Sequence, residues 1–282
     1  MKTILEYATG LHQDVPHAVY HQRHLGLASK SALDLVHRAP LFYKAWVDGL
    51  EADPSEALEF GGGFHCALLE PDRFASSYVV MPRFEEYRDK AGKLSTKEGK
   101  AKRDEWVAAH KDCTIIEADD QALMRSMVAA VHAHPLASRM VRDGLAEVTL
   151  RWKDADTGLQ CKARADYYVR SRRKVVDVKT TYDASSDAFR RSVANYRYHV
   201  QDAIYRAAFA AIGEPIDHFV FVVVEKRPPH AVAIYTLDSD AIQRGYAHAM
   251  SDMQRLAECV RNDDFPGYPV TIQTLELPPW AA

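Results

Sequence analysis

The sequence predicts an α/β protein in which a central mixed sheet is flanked by helices, with an N-terminal helical elaboration in front of it. Three observations carry this. Residues 145–179 hold three short runs rich in β-branched and aromatic residues, separated by turn-forming sequence. Residues 184–212 then carry a helical period and lead into another apolar run at 218–225, a strand reached by a helical crossover. The first 140 residues read mostly as helix and loop. With 282 residues, 47% of them hydrophobic, the chain can bury a full core in one domain. Residues 1–140 would form the elaboration and 141–265 the core.

In chain order, Ser29 is a candidate N-cap for a helix over 29–47. A second helix is expected over 54–69 and a third over 119–134, ended by Pro135. Between them, residues 85–111 are dense in Lys, Glu, Asp and Arg with little apolar pattern, which predicts a mobile loop and an exposed helix. Strands are expected at 145–152, 160–169 and 174–179, as a meander turning first at Asp156-Thr157-Gly158 and then at 170–174. A long helix over 184–212, strands at 218–225 and 232–237, and a helix over 239–261 complete the prediction.

The run Val175-Val176-Asp177-Val178-Lys179-Thr180-Thr181 places a carboxylate and an amine two residues apart on a strand, hence on the same side of it. Asp166, on the preceding strand, can lie beside Asp177 across the hairpin. Two close carboxylates are costly unless a cation lies between them, and hard oxygen ligands favour Mg²⁺ or Mn²⁺. Gln201 and Tyr205 are four apart and share a helical face. Gly61-Gly62-Gly63 is expected to open an apolar helix that carries His65, with glycines allowing close approach of backbone, metal or phosphate. Glu147 and Glu70 are further acidic candidates whose place the sequence leaves open. Arg170, Arg172, Arg173, Lys174, Arg190, Arg191 and Arg197 bracket the region, either as a phosphate track or as a solvated face.

Asp166 followed by Asp177-Val178-Lys179 resembles the signature of the PD-(D/E)XK nuclease superfamily, and Gln201-X-X-X-Tyr205 is similar to the fourth motif of its RecB-like branch. Gly61-X-X-X-His65-X-X-Leu68-Leu69-Glu70-Pro71 resembles the upstream histidine motif of RecE-type exonucleases (exonuclease VIII). Tyr20-His21, residues 27–33, residues 39–43 and the charged stretch 83–106 follow that family in the same order. The resemblance implies a restriction-endonuclease-like core and a Mg²⁺-dependent exodeoxyribonuclease. Asp166, Asp177, Lys179, Gln201 and Tyr205 would be catalytic. His65, Asp166, Asp177 and the Val178 carbonyl would hold one or two metal ions. It further implies degradation of linear double-stranded DNA from 5′ to 3′, leaving 3′ single strands for phage-type recombination, a RecT-like annealing partner, and a homo-oligomeric ring, a tetramer in RecE.

Two other readings stay open from sequence: an endonuclease using the same residues, and a DNA-binding relative that does not cleave. The formal net charge of −3 argues mildly against extensive nonspecific DNA binding. Cys66, Cys113, Cys161 and Cys259 are widely spread, so no iron–sulfur cluster is expected. With no long apolar run and no leader-like N-terminus, a cytoplasmic protein with reduced thiols is expected.

Overall fold

The structure, a computed structural model, describes residues 2–50, 56–89 and 92–277, and the side chains of 56–58 are left aside. The N-terminal part comprises β1 (Gly10–His12), α1 (His17–Tyr20), β2 (Leu27–Ala28), α2 (Lys30–Arg38) and α3 (Pro40–Val47). There follow α4 (Glu56–Leu69), α5 (Pro71–Ser77), β3 (Tyr78–Val80), α6 (Lys97–Ala109), β4 (Thr114–Ile116), α7 (Ala118–Ala133) and α8 (Ala137–Met140). The C-terminal half runs β5 (Leu145–Lys153), β6 (Gln160–Val169), β7 (Lys174–Thr181), α9 (Ser186–Asn195), α10 (Tyr198–Ala211), β8 (His218–Glu225), β9 (Val232–Tyr235) and α11 (Ser239–Asn262).

Strands β5, β6 and β7 form the antiparallel meander, and the α9–α10 crossover brings β8 back parallel to β7. β9 closes one side antiparallel to β8, giving a mixed seven-stranded sheet in the order β1-β5-β6-β7-β8-β9, with β2 on β6. The apolar run Phe219 to Val224 is buried on both faces of β8, as expected of a strand covered on two sides. Ala163, Ala165, Val175, Phe219 and Phe221 pack toward α2, α10 and α11, whereas Tyr167, Val176, Val178 and Val222 pack toward α4 and α7.

Several predicted elements divide or move, each for a local reason. The helix expected over 29–47 breaks at Ala39, which is extended because Pro40 excludes the α region for its predecessor. Ser29 does cap α2, accepting from the Ala32 amide. The helix expected over 184–212 breaks before α10 at Arg197, which is left-handed at φ 54. Its guanidinium donates to Asp34 at 2.9 Å and to Asp252 at 2.5 Å, so tertiary ion pairing holds the turn. The glycine run lies inside α4 rather than at its start. A Cβ on Gly63 would stand 2.6 Å from the end of Met124, so this glycine serves the approach of α4 to α7 and not of an anion. Pro54, the expected start of that helix, lies outside the described residues. The N-terminal part is also less purely helical than expected, because β1 and β2 join the central sheet and β3 pairs with β4 in a small second one. The exposed helix expected within 85–111 is α6.

Candidate metal centre and active site

The ladder between β6 and β7 is short. It pairs Val169 with Lys174, Tyr168 with Val175 and Tyr167 with Val176, and then the strands part. The next residues on either side of the fork are Asp166 and Asp177. The freed Val178 amide donates to Asp166 Oδ2 at 2.8 Å, so the carboxylate takes over a ladder bond that the parting strands leave unmade.

A second irregularity lies on the other side of Asp166. The β5–β6 ladder pairs Ala146 with Tyr167 and Val148 with Ala165 but skips Glu147 and Asp166 between them. Glu147 sits in left-handed backbone at φ 50, a costly conformation for a residue with a Cβ. On β6, Ala163 and Ala165 face one core cluster while Tyr167 and Val169 face the other, so the side-chain alternation slips at Asp166. The paired slip turns Glu147 and Asp166 toward α4, where His65 lies. Donor atoms of His65, Glu147 and Asp166 all fall within 4.8 Å of one another, and this is the group among the described residues whose geometry could hold a metal ion. His65 Nδ1 stands 3.6 Å from Asp166 Oδ2.

The electrostatics fit a divalent cation there. Burial, and then the neighbouring Asp166 charge, push the Glu147 carboxyl up to about 7. Two carboxylates and an imidazole converging in a partly buried site lack positive charge at their centre, and oxygen-rich donors suit a hard ion.

Asp177 is not in that group. It is 2% exposed and held from two sides. Gln201 Nε2 donates to its Oδ1 at 2.6 Å, and the Lys179 ammonium faces its Oδ2 at 2.6 Å without an aligned hydrogen bond. Burial raises the Asp177 carboxyl against the opposing pull of Lys179. For Lys179, burial acts downward, but Asp177 and then Asp166 outweigh it and raise the ammonium above its ordinary value. Lys179 also lies 4.7 Å from the centre of the Tyr198 ring.

Tyr205 is buried and donates to the Arg164 carbonyl at 2.6 Å, bracing β6 two residues before Asp166. Burial drives its phenol well above the ordinary value. Gln201 and Tyr205 therefore reach Asp177 and the β6 backbone from one face of α10. Glu70 pairs with Arg73, three residues on. The arginines of the candidate track are placed differently from one another. Arg170 pairs with Glu214, Arg173 with Asp217 and Arg190 with Asp187, all at the surface. Arg197 is buried between Asp34 and Asp252, and its donors are turned inward. The turn carrying Arg170 and Arg172 begins four residues beyond Asp166, at the end of β6 away from the fork.

A mixed sheet whose forked strands carry Asp166 and Asp177-Val178-Lys179, with an acid and a histidine beside them, is the arrangement of the PD-(D/E)XK nuclease superfamily. Residues 29–277 match the family described as "PDDEXK-like domain of unknown function (DUF3799)", and the chain belongs to that family. Among solved structures, it is similar to a protein of Eubacterium rectale described as "Putative exonuclease", with a TM-score of 0.52 and 16% identity over 94% of this chain and 96% of that one. At that identity the likeness speaks for the fold. A second structure, described as SSO0001, has a TM-score of 0.29 at 15% identity over 75% of this chain and 89% of that one. No curated protein matches the chain. No described helix is long and apolar enough to cross a membrane.

Sequence reasoning left Glu147 undecided, and the reason is physical. A period-2 reading assigns each strand residue to a face, and the slip that turns Glu147 inward arises from a backbone conformation that its side chain does not encode. Its sequence signal is confined to an acid near the start of a strand that alternates apolar residues with Thr149, Arg151 and Lys153.

Proposed function

We propose that this chain is a Mg²⁺-dependent exodeoxyribonuclease, also able to use Mn²⁺, that degrades linear double-stranded DNA from its 5′ ends and leaves 3′ single strands for recombination. The observation that carries the reading is the juxtaposition of the His65, Glu147 and Asp166 donors with the buried Asp177–Lys179 pair at the strand fork. The 5′-to-3′ direction is supported by the resemblance of the ordered motifs to those of RecE-type exonucleases.

His65, Glu147 and Asp166 would hold the metal in this reading, and Asp177 and the Val178 carbonyl are the further ligands that the resemblance implies. The chemistry a divalent ion would supply there is Lewis-acid charge for the scissile phosphate and a lowered pKa for an attacking water. Lys179, kept charged by Asp177 and Asp166, neutralises charge developing on the phosphate as the leaving oxygen departs. Gln201 fixes the Asp177 carboxylate through its Oδ1, and Tyr205 holds the β6 backbone that presents Asp166.

Assembly as a ring, with a RecT-like annealing protein as partner in the cytoplasm, belongs to the same proposal. Val270, Ile272, Leu275 and Leu277 are between 77% and 104% exposed on a segment outside helix and strand, apolar surface of the kind that protein contacts cover. The function is tested by digesting a linear duplex labelled separately at its 5′ and 3′ ends, beside a covalently closed circle, in Mg²⁺. Early release of the 5′ label with circles spared is expected. Cut circles would make the protein an endonuclease, and absence of metal-dependent turnover would reject the reading.

A further inference from the structure

Beyond Lys179, β7 ends at Thr181 and exposes the next residue, Tyr182, whose relative exposure is 65%. The parallel neighbour β8 ends beside it at Glu225, and the Lys226 amide donates to the Thr181 carbonyl at 2.7 Å, which fixes the two strand ends together. This linkage brings two cations to the tyrosine. Arg227 lies 5.2 Å and Lys226 5.8 Å from the centre of its ring, and Lys226 also lies 4.4 Å from the ring of Phe60. Asp120 is the acid whose charge acts on Lys226.

The position of this group relative to the candidate site follows from two elements. Phe60 precedes His65 by five residues on α4, a rise of about 7.5 Å. Tyr182 follows Lys179 by three residues along β7, about 10 Å. Counted from Asp177 at the fork, Tyr182 lies five residues on, about 17 Å along the strand, or about five nucleotide steps at roughly 3.4 Å per step. A ring that is largely exposed although Lys226 and Arg227 lie over it suits a nucleic-acid strand: a base can stack on the ring surface left to solvent, and the cations meet the phosphates that flank it.

We propose that Tyr182, with Lys226 and Arg227, forms a stacking platform for a base of single-stranded DNA adjoining the cleavage site. It is a positioning residue, holding the strand in register with the fork. The proposal rests on the nuclease reading above, and the test separates the two.

A duplex with a short single-stranded extension containing 2-aminopurine is titrated with protein in EDTA, so that binding is read without turnover, and the same preparation is assayed for digestion in Mg²⁺. Fluorescence quenching is expected with wild type and with Tyr182→Phe. Tyr182→Leu, which keeps an apolar side chain but no π face, should lose the quenching and bind about tenfold more weakly. Its KM should rise with kcat little changed. Lys226→Met should reduce the salt dependence of binding by about one charge without abolishing quenching. Wild-type digestion without quenching, or equal affinity and quenching in Tyr182→Leu, overturns the platform and leaves the nuclease reading standing. A wild type that neither binds nor digests DNA overturns both.

Discussion

Arg197 separates a structural arginine from a phosphate contact, and its replacement gives a quantitative test. The residue is 9% exposed, and its guanidinium donates to Asp34, to Asp252 and, at 3.4 Å, to the Leu33 carbonyl. The Asp252 side chain is only 6% exposed, so Arg197→Ala leaves a buried carboxylate with His37 as its remaining partner at 3.3 Å. Breaking such a pair from one side costs about 3–5 kcal/mol. Arg197 is also left-handed at φ 54, so Arg197→Gly should recover about 1 kcal/mol relative to alanine. Removing the stranded acid as well, in Arg197→Ala/Asp252→Ala, should cost less than the sum of the single changes. Urea unfolding with an unchanged m-value reads these differences. At a temperature where the variant stays folded, the salt dependence of DNA binding should match wild type. A stability loss below about 1 kcal/mol together with a salt slope reduced by about one would refute the structural assignment and return Arg197 to the phosphate track.

Three further changes probe other parts of the account. Gly245→Ala places a Cβ in clash with the His199 carbonyl where α11 crosses the start of α10. Overpacking of about 1–3 kcal/mol should exceed the helix-propensity gain of about 1 kcal/mol, lowering the thermal midpoint. Lys162, 4% exposed and donating to the Tyr20 and Gln22 carbonyls, is pushed by burial down to about 7 from 10.5. The unfolded chain therefore binds more protons between those values, and stability rises with pH across that window, the penalty being complete below it. Unfolding at pH 7 and 9.5 should show a rise of about 2–3 kcal/mol in wild type relative to Lys162→Met, and parallel behaviour of the two would contradict the buried ammonium. Glu147→Gln removes a charged donor from the group with His65 and Asp166, and calorimetric titration with Mn²⁺ should find weaker binding by about tenfold or more. Unchanged affinity would place the ion elsewhere.

Much of the sheet was legible because its strands are locally consistent. The 160–169 run coincides with β6, and the 218–225 run, apolar on both faces, coincides with β8. The spacing of Asp177 and Lys179 fixed their common side on β7, and the four-residue spacing of Gln201 and Tyr205 fixed their common face on α10. The Ala39–Pro40 break was written in the proline but masked by continuous helical patterning around it. The left-handed turn at Arg197 depends on acids at 34 and 252, far away in the chain, and no local pattern announces it. The two strands from the N-terminal part, three and two residues long, are too short for periodicity to register. At the site, sequence spacing brought Asp166 next to Asp177, but the third member of the donor group, Glu147, depends on a backbone slip shared by two strands.

The most direct test of the central claim is release of acid-soluble nucleotides from linear duplex DNA in Mg²⁺ by wild type and by Asp177→Asn. The asparagine preserves the volume and a hydrogen-bonding partner for Gln201 while removing the charge that faces Lys179. Turnover by wild type and its loss in a folded Asp177→Asn protein that still binds DNA is the predicted result. Undiminished turnover in that variant would contradict the assignment of chemistry to the fork between β6 and β7.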